Sequence, residues 1–384
     1  MAIHSPSLLA ARAPATAGVA ALLRQQVRSG GFAVGDALPP ERQLAQSIGV
    51  ARGTIRAALQ QLQNEGVIGV DGVRRRVRTI PRNGSGILSG TVGVVTVRRP
   101  NTVTHVAPGW ESFVEVGAMQ QAREHDLNSL ILDVNSLKAP GAVEELLERP
   151  PHGIVVVSAA YRSGGVIELL VRLRDAGLPI VTEGDPIGGE EYDRVVSDHE
   201  AGAAMLTRFL LQRGRRRIVY CLPASPANAY WVRHRLAGYR AAMAEAGAQP
   251  LAPSMQGAIS YGNDAHHFEI GVMQMLGYLV DYQRQHGGFD AVMCASDAQV
   301  PHVAAALRKL GLKPQDDVLI TGYDNFWEDL AERRWEPTPP LATADKQNVE
   351  IGKRLVKLLM AGGGAAEPRV ERIEPCLVEV TSKS

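Results

Sequence analysis

The sequence predicts an α/β protein in two parts: a small helical N-terminal domain ending in a β-hairpin, then a larger two-lobed body of parallel sheets. Three observations carry this reading. Charge is unevenly spread: residues 1–90 hold 11 Arg, no Lys and 4 acids, a net of +7, leaving −6 for the rest of a chain whose formal total is +1. A basic head on an acidic body points to an anionic partner for the head. Two short helical periods separated by a glycine precede an Asp-Gly turn set between β-prone runs. From about residue 91, short apolar runs alternate with longer helical patterns, as in βαβ units. At 384 residues with 45% apolar side chains, two or three domains with sizeable cores are expected.

Residues 1–15 mix Pro, Ala and Ser and are expected to be frayed. Val19, Leu22, Leu23 and Val27 give helical spacing, stopped by Ser29-Gly30-Gly31. The stretch Leu38-Pro39-Pro40-Glu41-Arg42-Gln43-Leu44-Ala45 opens the next helix. Pro40 suits a first turn, where its missing N–H costs nothing, and Glu41 complements the positive end of the helix dipole. Gly49 breaks the pattern and another helix begins near Val50. Along it Ile55, Leu59 and Leu62 form one apolar stripe, while Arg52 and Arg56, four apart, share a different face. An exposed helix with forked cations near its N-terminus is what a DNA major groove accepts. Beyond it, Gly66–Val70, the Asp71-Gly72 turn and Val73-Arg74-Arg75-Arg76-Val77-Arg78 read as a hairpin. Such an arm would lay Arg74, Arg75 and Arg76 along phosphates. These elements make up a first domain over 16–80. Residues 81–90, Pro-Arg-Asn-Gly-Ser-Gly-Ile-Leu-Ser-Gly, read as a linker without helix.

The body, 91–384, begins with the strand Val92–Val97, a helix from about Ser112 and a strand Ser129–Asp133. A helix near Val143, the strand Ile154–Val157, a helix near Ile167 and the strand Pro179–Val181 follow. A second series runs through a helix after Asp198, Arg217–Cys221, helices near Trp231 and Met273, Ala291–Cys294, Val303–Leu310 and Val318–Ile320. Two such series imply two lobes, with ligands gathering at the strand C-termini. Asp297 and Asp324 stand at two of those ends, and Arg235 near the start of a helix. Trp110, Trp231 and Trp327 each sit where a strand gives way to a helix, so an aromatic ring could stack on a ligand there.

Residues 16–80 resemble the winged helix-turn-helix of the GntR family of bacterial transcription regulators. The resemblance rests on Leu38–Ala45, on Gly49-Val50-Ala51-Arg52-Gly53-Thr54-Ile55-Arg56-Ala57-Ala58-Leu59, and on Leu62 and Glu65-Gly66. It implies operator contacts from Arg42, Arg52, Thr54 and Arg56. Ala51 and Gly53 depart from the family's usual hydroxyl residues. The body resembles the LacI/GalR effector core, which has the periplasmic-binding-protein fold. The carrying segments are Val196–Gly202, Arg235-Leu236-Ala237-Gly238-Tyr239, Ala295-Ser296-Asp297 and Val318–Asn325. It implies that Arg235, Asp297 and Asp324 hold hydroxyls of a small sugar or polyol. Ser296 and Glu183-Gly184-Asp185 depart from the usual Asn and Asp-Arg. Together the two resemblances imply a cytoplasmic repressor that binds a pseudo-palindromic operator as a homodimer.

Other classes leave little trace. No apolar run approaches the roughly 18–20 residues of a membrane span, and the start lacks a signal-peptide pattern. Cys221, Cys294 and Cys376 fit neither a zinc nor a redox spacing. His266-His267 is adjacent rather than four apart, and His199 and His234 lack a partner at ligand spacing, so no metal is expected. No nucleophile elbow or phosphate loop is present, so neither catalysis nor a cofactor is expected. The alternative is an enzyme or transport-type binding protein that carries a basic N-terminal module.

Overall fold

A computed structural model describes residues 16–28, 31–64, 67–72, 74–77, 87–97, 109–185, 190–224, 229–257, 259–261, 264–362 and 367–380. Residues 1–15, expected to be frayed, the pair Glu65-Gly66, Arg78 and residues 81–86 of the linker lie outside the described residues. The chain divides into two units, Met1–Ser85 with Ala361–Ala366, and Gly86–Met360 with Glu367–Ser384.

In the first unit, α1 (Thr16–Arg28) buries Val19, Ala20, Leu23 and Val27. Leu22, expected on that stripe, is exposed instead, because the buried set follows i, i+4 and i+8 through 19, 23 and 27. Pro40 stands one position before α2 (Glu41–Ile48) rather than inside it. Gly49, at φ +74°, ends α2 with its N–H on the Ala45 carbonyl; the left-handed cap suits a residue without Cβ. Then α3 (Arg52–Asn64) buries Ile55, Ala58, Leu59 and Leu62 against α1. Strands β1 (Ile68–Asp71) and β2 (Arg74–Val77) pair antiparallel, with Asp71 opposite Arg74. Asp71 is therefore the last residue of its strand rather than part of the turn, where the Asp-Gly signal places it. Leu38 N–H donates to the Arg75 carbonyl at 2.8 Å, so the segment before α2 extends the hairpin.

The second unit opens with a short 3-10 turn, Ile87–Gly90, where the sequence gives plain linker. Its first lobe contains β3 (Thr91–Thr96), α4 (Trp110–Glu124), β4 (Asn128–Asp133), α5 (Val134–Leu137), α6 (Ala142–Glu148), β5 (Gly153–Val156), α7 (Val166–Asp175), β6 (Ile180–Glu183) and β7 (Asp193–Ser197). The second lobe holds α8 (His199–Gln212), β8 (Ile218–Pro223), α9 (Ala229–Glu245), β9 (Ser254–Gln256), α10 (Ala265–His286), β10 (Ala291–Cys294), α11 (Val300–Lys309), β11 (Leu319–Tyr323) and β12 (Ala342–Asp345). The chain then returns to the first lobe for α12 (Asn348–Met360) and β13 (Val370–Ile373), and ends in the second with β14 (Cys376–Glu379). Both sheets have six strands, ordered β13-β7-β6-β5-β3-β4 and β14-β12-β11-β10-β8-β9. Every pairing in them is parallel except β12 with β14.

Apolar clusters cover both faces of each sheet, which is why the central strands read as continuous Val/Ile/Ala runs rather than alternating ones. The lobes are joined by three crossings, after β7, after β12 and between β13 and β14. The crossings hold one another: Asp198 N–H donates to the Ile373 carbonyl at 2.9 Å, and the Gln347 side chain to the Glu374 carbonyl at 2.8 Å.

In the first lobe α4 and α12 approach closely because each carries a glycine at the contact. A Cβ on Gly117 would lie 1.9 Å from the Val349 carbonyl oxygen, and one on Gly352 would lie 2.0 Å from that of Val114. Gly117→Ala should therefore lower the stability of the body by about 1–3 kcal/mol, the usual cost of overpacking. Urea unfolding measures it; an unchanged midpoint would mean the helices can part without cost.

Candidate nucleic-acid interface and ligand cleft

On the head, the buried stripe of α3 turns Arg52, Gly53, Arg56, Ala57 and Gln60 outward, with Thr54 half-buried. Arg42 is exposed on α2. One carboxylate organises three of the guanidiniums: Glu41 accepts from Arg52 Nε at 3.2 Å, from Arg56 Nε at 3.3 Å and Nη2 at 3.1 Å, and from Arg75 Nη1 at 3.0 Å. The Glu41 side chain is 15% exposed, whereas those of Arg52 and Arg56 are 63% and 62% exposed. The Arg56 and Arg75 hydrogen bonds hold its carboxyl down at about 2, so it stays ionised across the working pH range.

The hairpin does not present its three arginines alike. Successive strand residues face opposite ways, and Arg75 turns inward to Glu41. Arg76 is held by Asp71 at 3.0 Å and by the Gly35 carbonyl at 2.9 Å, and Arg74 is exposed. In the sequence Glu41 signals only a helix-dipole partner. That one carboxylate also meets the wing depends on a contact 34 residues away in sequence.

In the body, the segments carrying Arg235, Asp297 and Asp324 do converge, though not as three hydroxyl holders. Asp297 is fully buried and internally occupied. Its Oδ2 accepts from the Phe326 and Trp327 N–H groups at 2.8 and 3.1 Å, and its Oδ1 from the Thr343 hydroxyl at 2.8 Å. It anchors the loop after β11, which corrects the expectation that it faces a ligand. The Arg235 guanidinium lies 3.4 Å from the Tyr323 ring centre and 4.4 Å from that of Trp231, and donates to the Ala295 carbonyl and toward His199 Nδ1. It is buried and flanked by aromatic faces. Trp231 thus stacks on Arg235, while Trp327 is buried in the second lobe's core.

Asp324 is buried and paired with a lysine of the crossing after β12. It sits at φ +88° and is followed by Asn325 at φ +53°. Two consecutive left-handed residues other than glycine at a strand end store backbone strain of the kind found at ligand sites. Its Oδ1 is buried, accepts no hydrogen bond among the described residues, and faces Lys346 Nζ at 3.4 Å. Lys346, absent from the sequence expectation, lies on the crossing after β12. Its ammonium stands 4.0 Å from Glu183 Oε1 and 3.8 Å from the Trp110 ring centre. The Trp110 face is therefore occupied by a cation of the protein itself. Lys346, Glu183 and Asp324 are all buried. Desolvation raises both carboxyls and Lys346 opposes it, while burial lowers His199 well below its ordinary value and keeps it neutral. The signal for Lys346 was a single lysine after a short polar strand, indistinguishable from a surface residue without the fold.

Beside this cluster a cavity of about 510 Å³ opens between the ends of β6 and β7 and helices α8 and α9, with His199, Tyr230, His234 and Arg372 on its walls. Arg235, Asp324, Lys346 and Trp110 are not on those walls. The size is ordinary for a small-molecule site. The described residues contain no group of three or more His, Cys, Asp or Glu placed to hold a metal ion. Cys221 and Cys294 are buried free thiols and Cys376 is exposed.

If Asp297 is an anchor, Asp297→Ala should destabilise the body by about 1–3 kcal/mol for each buried donor left unpaired, read by thermal unfolding without ligand. An unchanged unfolding midpoint would return this carboxylate to the ligand set.

Residues 15–76 match the family described as bacterial regulatory proteins, gntR family, and residues 207–382 match the periplasmic binding protein-like domain. The HTH-type transcriptional regulator CelR of Thermobifida fusca is 29% identical over 191 residues, 49% of this chain and 51% of that protein. An HTH-type transcriptional repressor PurR of Vibrio campbellii is 28% identical, over 57% of this chain and 59% of that one. The ribose operon repressor of Haemophilus influenzae is 24% identical over 76% and 82%. The chain thus spans about half the length of the first two relatives. Among solved structures, a CelR–cellobiose complex superposes with a TM-score of 0.60 at 20% identity, covering 89% of this chain and 98% of that one. A LacI-family regulator from Chloroflexus aggregans gives 0.57 at 22% identity, over 77% and 99%; both likenesses establish fold. No helix among the described residues is long and apolar enough to cross a membrane. The head thus matches the gntR-family model, part of the body matches the periplasmic binding protein-like model, and the chain shares the fold of solved LacI-family regulators.

Proposed function

We propose that this protein is a ligand-responsive transcriptional regulator, a cytoplasmic repressor whose head binds operator DNA and whose body senses a small polar effector, a sugar or polyol. The observation that carries the reading is the pairing, on one chain, of an outward arginine face on α3 with a buried polar cluster where two lobes meet. Arg42, Arg52, Thr54 and Arg56 would serve base and phosphate contact, with Arg74 and Arg76 on the backbone; Asp324 and Lys346 would serve the effector, while Arg235, Trp110 and Trp231 hold the polar cluster in place. The relatives are named as regulators rather than enzymes, and two solved neighbours carry cellobiose and ribose. Effector would shift the lobe equilibrium, and operator affinity would change by no more than its differential affinity for the two states.

The test combines ligand and DNA binding on one preparation. A thermal-shift panel containing cellobiose, ribose and common polyols should yield a binder, since ligand at ~100 times its Kd stabilises by about 2.7 kcal/mol. Asp324→Ala should abolish that shift while leaving duplex binding in a gel shift intact. Arg56→Ala should do the reverse and weaken the selected site by about 1–3 kcal/mol. Turnover of the bound sugar would instead favour an enzyme.

A homodimer belongs to the same proposal. On α10, Ile270, Met273 and Val280 are exposed at 38%, 51% and 46%, and Gly277 lies between the last two. The positions 270, 273, 277 and 280 follow the spacing of a two-helix seam. Met273→Glu should give a monomer by sedimentation equilibrium, with operator affinity reduced. A dimer of undiminished strength would place the interface elsewhere.

A further inference from the structure

One carboxylate shared by three guanidiniums, two on the reading helix and one on the hairpin, is more than a helix needs for its dipole. The way each arginine meets Glu41 matters. Arg56 uses its side edge, Nε and Nη2, and Arg52 its Nε. A guanidinium has five donors in a rigid fork, so an arginine held by its side edge keeps end-on donors free. Those outward donors are the pair that fits guanine O6 and N7. Arg75 binds through Nη1, which ties hairpin and helix to the same anchor.

We propose that Glu41 is a specificity-determining positioning residue: it buttresses Arg52 and Arg56 so that their end-on forks face the base edges, and it withholds them from indiscriminate phosphate contact. This rests on the reading that the head binds DNA. Ordering long side chains before binding removes a cost otherwise met on association, so the buttress favours the one sequence whose bases meet the fixed forks. A phosphate out of line with the fixed forks can be reached only by pulling an arginine off the carboxylate. Glu41 touches no DNA in this scheme; it acts through the arginines.

The experiment uses the full chain. A site is first selected from a random duplex pool by the unaltered protein, and affinity is measured for that site and for a shuffled duplex over a range of salt. For Glu41→Gln, affinity for the selected site should fall about 5- to 100-fold. Affinity for the shuffled duplex should rise, with a salt dependence steeper by about one counterion, because a released arginine can now meet phosphate. Equal losses on both duplexes, or an unchanged ratio, would overturn the proposal. Arg56→Lys provides a second route that spares the fold. It keeps the charge but not the fork, so it should lose the selected site and retain the shuffled one; a preserved ratio would also overturn it. Absence of any site enrichment by the unaltered chain would remove the DNA reading itself, and the proposal with it.

Discussion

The body is organised around a charge problem at its crossings. Lys346, Glu183, Asp324 and Arg235 are all nearly out of water, and an isolated ion in such a place would cost several kcal/mol. The fold answers by bringing opposite charges from separate elements: Glu183 from the end of β6, Asp324 from the end of β11, Lys346 from the crossing after β12 and Arg235 from α9. The ammonium lies 3.4 and 4.0 Å from the two carboxylates, longer than a tight charge-assisted hydrogen bond of about 2.7–2.9 Å. Such a cluster stays together only while the lobes keep their relation, so charge burial and lobe position are coupled.

The same logic appears at smaller scale in the head. Glu41 lies at the start of α2, where the helix dipole alone would favour an anion by a few tenths to about 1 kcal/mol. It gathers Arg52, Arg56 and Arg75 because α2, α3 and the hairpin pack over one small apolar core. That core includes Leu44, Ile55, Leu59, Leu62, Ile68 and Val77, and a buried Leu or Ile contributes about 1.5–3 kcal/mol. Packing thus sets the geometry and electrostatics uses it. The cations outnumber the single anion, so a positive face remains for a partner.

Local chemistry made much of the architecture legible. Proline before α2, the glycine ending it and the 55/59/62 stripe placed the head's helices, since each signal acts within a turn or two. The Val- and Ile-rich runs placed β3, β5, β6, β8, β10 and β11, because strands buried on both faces need apolar residues throughout. Strands β7, β9, β12, β13 and β14 and the helix α12 escaped. Ala342–Asp345 or Val370–Ile373 become strands only through partners distant in sequence, β11 and β14 for one and β7 for the other, and such pairing leaves a weak local mark.

For the functional residues the division follows the same line. Sequence by itself determined the charge split between head and body, the outward pair Arg52 and Arg56, and the convergence of the segments bearing Arg235, Asp297 and Asp324. Tertiary structure decided what each side chain faces. It made Asp297 an anchor for Phe326, Trp327 and Thr343, put the Lys346 ammonium on Trp110, and turned Arg75 from a presumed phosphate contact into a partner of Glu41. The physical reason is that helix faces and turns depend on neighbours a few residues apart. Whether a carboxylate is occupied or open depends on donors brought in by the packing of whole elements.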